Sequence, residues 1–148
     1  MPTRLYMDVC TLGRPFDDQA YLRIRLETEA VNLILLKVRD GVLKLLTSPV
    51  HAVEIGAIED TVERFELQTI LREWGEPVRG DWLKIRARAE DLVGLGFGVA
   101  DAAHVAFAEW GEAQFISCDD KLLRKCSTHE IRVWCGNPVS FCEKEGIK

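Results

Sequence analysis

The sequence predicts an α/β fold, with helices on both faces of a central, mainly parallel sheet. Two observations predict it. Short apolar runs alternate with longer amphipathic stretches along the whole chain. Parallel neighbours also need crossover connections, which the amphipathic stretches supply as helices. The 148 residues suit a single domain, 1–148, with one core region.

The elements follow in order. Arg4 to Asp8, "RLYMD", reads as a first strand before a turn-like segment, "TLGRPFDD". From Asp18 to about Arg39, Leu22, Leu26, Ala30, Leu33 and Val38 recur at near-helical spacing, and Gly41 can end the helix. Val42 to Thr47 fits a strand. Ser48-Pro49 then opens a helix, with Ser as N-cap and Pro in the first turn. Glu59 to Trp74 is amphipathic and closes at Gly75 and Pro77, and Asp81 to Leu95 is a further helix. "GLGFG" at 94–98 reads as a helix stop, because a phosphate-cradling loop would follow a strand. Val99 to Trp110 resumes helix. Ala113 to Ser117 reads as a strand, Asp120 to Lys125 as a short helix, and Ile131 to Cys135 as a strand. Pro138 opens a last helix.

Composition narrows the function. At 47% hydrophobic and 29% charged residues the chain is ordinary for a soluble globular protein. No apolar run approaches the ~18 residues of a membrane helix, and Asp8 interrupts the N-terminal apolar stretch, so a signal peptide is not expected. Five cysteines without a CxxC pair argue against a disulfide framework or a zinc site, and for a reducing cytoplasm. The net charge of -5 counts mildly against nucleic acid, although a carboxylate site would itself contribute negative charge.

Four acidic spots, the last an adjacent pair, break apolar settings. Asp8 ends the first strand, Glu54 lies in "SPVHAVEIGAI", Asp101 lies in "GVADAAHVAFA", and Asp119 and Asp120 end "QFISC". Each has an ordinary alternative: a turn for Asp8, a solvent-facing helix position for Glu54, N-caps for Asp101 and for one of the adjacent pair. Acids in such places are costly unless paired or metal-bound. In parallel sheets ligands bind beyond the carboxyl ends of strands, where Asp8, Ser117, Cys118, Asp119 and Asp120 are expected. Gathered carboxylates suit Mg²⁺ or Mn²⁺, which take oxygen ligands and promote displacement at phosphorus.

On these residues the chain resembles the PIN-domain ribonucleases, a family that includes many toxins of toxin–antitoxin pairs. "LYMDVCTL" resembles the family's opening strand and first acid, Asp8. "SPVHAVEI" resembles the segment of the second acid, Glu54. "VADAAHVAFAEWGEAQFISCDDKLL" is similar to the family's "DA-hxxA-A" helix followed by a strand and a "T-x-D" end. That places the third acid at Asp101 and the fourth at Asp120, with Asp119 capping the short helix or supporting a water.

Two departures stand out. Cys118 occupies the usual Thr or Ser position, with Ser117 able to supply the hydroxyl. Val9 and Cys10, then Thr11, follow the first acid. The resemblance implies a PIN-like three-layer α/β/α fold and an endoribonuclease. Asp8, Glu54, Asp101 and Asp120 would hold Mg²⁺ or Mn²⁺, and a metal-activated water would attack the RNA phosphodiester. Ser117, Cys118 and Asp119 would support these ligands. It further implies an antitoxin partner and a homodimer. Lys121, Arg124 and Lys125 follow the fourth acid and could meet RNA phosphate or form a solvated face. His104, three residues after Asp101, reads as a packing or surface residue. The rival readings are a non-catalytic PIN-like module that binds RNA or protein, and a haloacid-dehalogenase-like phosphatase. The phosphatase needs an acid two residues after its nucleophile, where this chain has Cys10.

Overall fold

The computed structural model describes all 148 residues. Five parallel strands form one sheet in the order β3-β2-β1-β4-β5: β1 (Thr3–Met7), β2 (Leu43–Thr47), β3 (Gly75–Pro77), β4 (Gln114–Ile116) and β5 (Cys135–Gly136). Eight helices complete the fold. They are α1 (Val9–Leu12), α2 (Leu22–Arg39), α3 (Pro49–Gly56), α4 (Thr61–Trp74), α5 (Trp82–Gly94), α6 (Val99–Trp110), α7 (Asp120–Thr128) and α8 (Pro138–Glu145), with a 3₁₀ turn at Arg14–Phe16. None is long and apolar enough to cross a membrane.

The two-residue period of the strands splits the core into two layers. Leu5 and Met7 of β1 join Leu45 and Ile116 in a cluster with Val31, Ile34 and Phe141 from α2 and α8. Tyr6, between them in sequence, faces the other way, with Leu46 and Phe115 of the neighbouring strands and with Leu92 and Val105 from α5 and α6. This is the expected three-layer α/β/α arrangement, and strands buried on both faces explain why they read as unbroken apolar runs. On α2, the buried residues Glu27, Ala30, Val31, Ile34, Leu35 and Val38 fall at spacings of three and four, which gives the helix one inward stripe.

Several boundaries differ from expectation, each for a local reason. The first long helix begins at Leu22 rather than Asp18, because the Asp18 carboxylate accepts from the Ala20 amide at 2.9 Å and holds a turn. A strand, β3, stands where only a helix stop was expected. It pairs with β2, placing Leu45 opposite Gly75 and Thr47 opposite Pro77. Proline is tolerated there because β3 is an edge strand. The strand expected over 131–135 is confined to Cys135–Gly136, although the Phe115 amide still reaches the Trp134 carbonyl at 2.8 Å.

Strand order fixes where a ligand can sit. The chain leaves β1 for β2 on one side, and later places β4 on the other side of β1. The topological switch therefore lies between β1 and β4, and the crevice opens above their carboxyl ends. Asp8 and Ser117 are the first residues past those two strands.

Candidate active site

Asp8 is held rigidly. It is 4% exposed and caps α1. One carboxylate oxygen accepts from the Thr11 amide at 3.2 Å, the Thr11 hydroxyl at 2.5 Å and the Cys10 thiol at 3.2 Å. The other accepts from the Ser117 hydroxyl at 2.6 Å. The same two hydroxyls stitch β1 to the turn after β4. The Cys118 amide donates to Thr11 at 3.0 Å, and the Asp119 amide donates to Ser117 at 3.0 Å. Thr11 and Ser117 thus supply the hydroxyl groups for which Cys10 and Cys118 are poor substitutes. Burial pushes the Cys118 thiol up to about 12, so it stays a neutral packing group.

Glu54 projects from α3 toward α6, with a side chain 37% exposed. Its Oε1 meets Nε2 of His104. This hydrogen bond, ahead of opposing burial, holds the Glu54 carboxyl below its usual range. Behind His104 lies a polar network that the sequence reading did not find. Nδ1 of His104 meets the Tyr6 hydroxyl at 2.5 Å, and Tyr6 meets the Ser48 hydroxyl at 2.7 Å. Ser48 caps α3, with His51 as the reciprocal member of a capping box: Nδ1 of His51 accepts from the Ser48 amide at 3.0 Å. Nε2 of His51 then donates to the Met7 carbonyl at 2.6 Å. Burial, reinforced by His104, holds the His51 imidazole down at about 4. The sequence clue was the spacing Ser48-x-x-His51, with Tyr6 as a polar residue inside an apolar strand.

Asp101 is half-buried in the first turn of α6, three residues after the actual N-cap, Gly98. No protein group donates a hydrogen bond to it. Desolvation raises its pKa, followed by the charges of Asp8 and Asp119; His104 opposes them, and Glu54 adds the smallest contribution. Four carboxylates therefore share one electrostatic field, and no lysine or arginine pairs with any of them.

Of the adjacent acids, Asp119 takes the helix-cap role expected of it, and Asp120 has a partner the sequence did not suggest. Asp120 is not among the charges acting on Asp101. Its carboxylate is gripped by both terminal nitrogens of Arg23, at 2.6 and 2.7 Å, and that bond lowers its pKa. Asp119 faces the field. One of its oxygens caps α7 by accepting from the Lys121 and Leu122 amides at 2.9 and 3.2 Å. Lys121 and Arg124 are exposed on α7, while Lys125 is half-buried and donates to the Gly96 carbonyl at 2.9 Å.

The donor chemistry fits a hard divalent cation, since the acids offer only oxygen and repel one another. The side chains are not closed around a point, however: no three His, Cys, Asp or Glu side chains are grouped tightly enough to hold a metal ion.

No protein-family model matches the chain, and no curated protein matches it in sequence. Among solved structures, the chain is similar to FitAcB from Neisseria gonorrhoeae. The identity is 14%, and the alignment covers 90% of this chain and 97% of that one, with a TM-score of 0.54. That likeness supports the α/β fold.

Proposed function

We propose that this protein is an endoribonuclease that depends on Mg²⁺ or Mn²⁺ bound by Asp8, Glu54, Asp101 and Asp119. The observation that carries the reading is Asp101. It is a half-buried acid with no protein donor, and its proton affinity is raised first by burial and then by the charges of neighbouring carboxylates, Asp8 and Asp119 ahead of Glu54. Such repulsion is relieved by a divalent cation. The bound ion would supply charge neutralisation at the phosphodiester and an activated water. Asp8 serves as the fixed anchor, because four hydrogen bonds hold its two oxygens. Glu54 and Asp101 face it from α3 and α6, and Asp119 from the cap of α7. Asp120, included with the ligands on the sequence pattern, is assigned instead to tying α7 to α2 through Arg23. Lys121 and Arg124 are the candidates for RNA phosphate contact, since both are exposed beside Asp119.

The sequence resemblance supports a toxin paired with a small antitoxin and acting as a homodimer. Five free cysteines fit a cytoplasmic setting. A second reading, a PIN-like module that binds RNA or protein without cutting, is favoured by the unclosed acid set. Purified protein should cleave single-stranded or structured RNA with Mg²⁺ or Mn²⁺ and stop on adding EDTA. Asp101→Asn should lower cleavage at least ~100-fold with an unchanged circular dichroism spectrum. Cleavage that survives the chelator or the substitution overturns the metal–carboxylate reading. RNA binding without cleavage supports the second.

A further inference from the structure

The chain Ser48–Tyr6–His104 lies under Glu54, and its hydrogens can be assigned in one direction. Tyr6 is fully buried, His104 is 1% exposed and Ser48 is 7% exposed. The Ser48 oxygen accepts from the Val50 amide at 3.2 Å, and its own proton can be given to the Tyr6 oxygen. The Tyr6 proton then goes to Nδ1 of His104, and the ring's remaining proton sits on Nε2, aimed at Glu54. His51 cannot compete for these partners. The Ser48 amide and the Met7 carbonyl occupy its two nitrogens and fix its own tautomer.

A side chain needed only for packing would not require this arrangement. Position 104 lies on the inward face of α6, beside Ala102, Val105 and Ala106, where an aliphatic residue would avoid burying an imidazole. The polar chain ends on a single carboxylate oxygen. Oε1 of Glu54 takes the imidazole, while Oε2 has no protein partner and the side chain remains partly exposed. One oxygen is fixed and the other is left to bind.

We propose that His104 is a positioning residue for Glu54, locked by Tyr6 and Ser48 in the tautomer that holds Oε1 and presents Oε2 to a divalent cation in the acid cluster. The proposal rests on the metal–carboxylate reading above. It adds that the second acid functions only as the partly exposed end of a four-residue unit whose other three members are buried.

The test combines long-range proton–nitrogen NMR of the metal-free protein with calorimetric titration of Mn²⁺. It compares wild type, His104→Leu, His104→Gln and Tyr6→Phe, with thermal melts to report folding. Wild type should show His104 protonated on Nε2 only. His104→Leu should weaken Mn²⁺ binding about 10–100-fold, and His104→Gln should recover most of it, because its amide can donate to Glu54. Tyr6→Phe should populate both His104 tautomers and weaken Mn²⁺ severalfold. It also carries the test if His104→Leu does not fold. A proton on Nδ1 of His104 in wild type overturns the proposal, as does wild-type Mn²⁺ affinity in His104→Leu or Tyr6→Phe. Wild type that neither binds Mn²⁺ nor cleaves RNA overturns the underlying reading as well. Wild type that binds Mn²⁺ while the variants match it overturns the positioning role alone.

Discussion

Ser117 sets the register of the acids that follow β4. Its hydroxyl donates to Asp8 and accepts from the Asp119 amide, so the hydroxyl-bearing residue stands two positions before Asp119. The sequence pattern, counted from Cys118, points to Asp120. Counted from the hydroxyl that makes the contact, it points to Asp119. The sequence could show that two acids ended this strand, but not which faced the crevice. That choice depends on Arg23, 97 residues away along the chain, whose guanidinium draws Asp120 outward. The two substitutions separate these roles. Asp119→Asn keeps a good helix cap while removing the charge, and should lower metal-dependent cleavage at least ~100-fold with the melting temperature nearly unchanged. Asp120→Asn, which loses only an exposed ion pair, should retain cleavage within about threefold. Rates measured side by side on one RNA decide it, and equal losses would return Asp120 to the site.

At the scale of elements, the buried strands and the long helices were legible, because their apolar periods are set by burial on both sheet faces or on one helix stripe. β3 was not. "GEP" has neither β-branched residues nor alternation, and it becomes a strand only because α4 delivers it to the free edge of β2. Gly75 makes that delivery possible. A Cβ there would lie 2.5 Å from both the Leu71 carbonyl oxygen and the Thr47 methyl group. Gly75→Ala should therefore destabilise the fold by about 1–3 kcal/mol, read as a lower urea midpoint with an unchanged slope. A midpoint equal to wild type would mean that the α4–β3 junction yields freely. At the other edge, the expected strand over 131–135 shrinks to Cys135–Gly136, and the Trp134 ring lies over Gly136, where a Cβ would come within 2.4 Å of it. Neither contact leaves a periodic trace in the sequence. Asp8, Glu54 and Asp101 were visible as charges in apolar settings. The Tyr6–His104 network stayed hidden, because it assembles from β1, α3 and α6 only in the folded chain.

For the whole molecule, strand order converts these local facts into a site. The reversal between β1 and β4 brings the ends of two distant strands together, and α3, α6 and α7 surround them with carboxylates. The negative total of -5, a mild argument against nucleic acid when the chain is read alone, takes on a different meaning when several of those charges face one another without a protein cation. A cation in that field would make the crevice attractive to phosphate instead of repellent. The proposed divalent-cation site consists of Asp8, Glu54, Asp101 and Asp119 and leaves Asp120 out. A crystal soaked in Mn²⁺ and measured at the manganese absorption edge tests it most directly. The expected result is an anomalous peak between Asp8, Asp101 and Asp119, within coordinating reach of Oε2 of Glu54, with the Asp120–Arg23 pair intact. A crevice with no peak at saturating Mn²⁺, or a peak on Asp120 with Arg23 displaced, would contradict it.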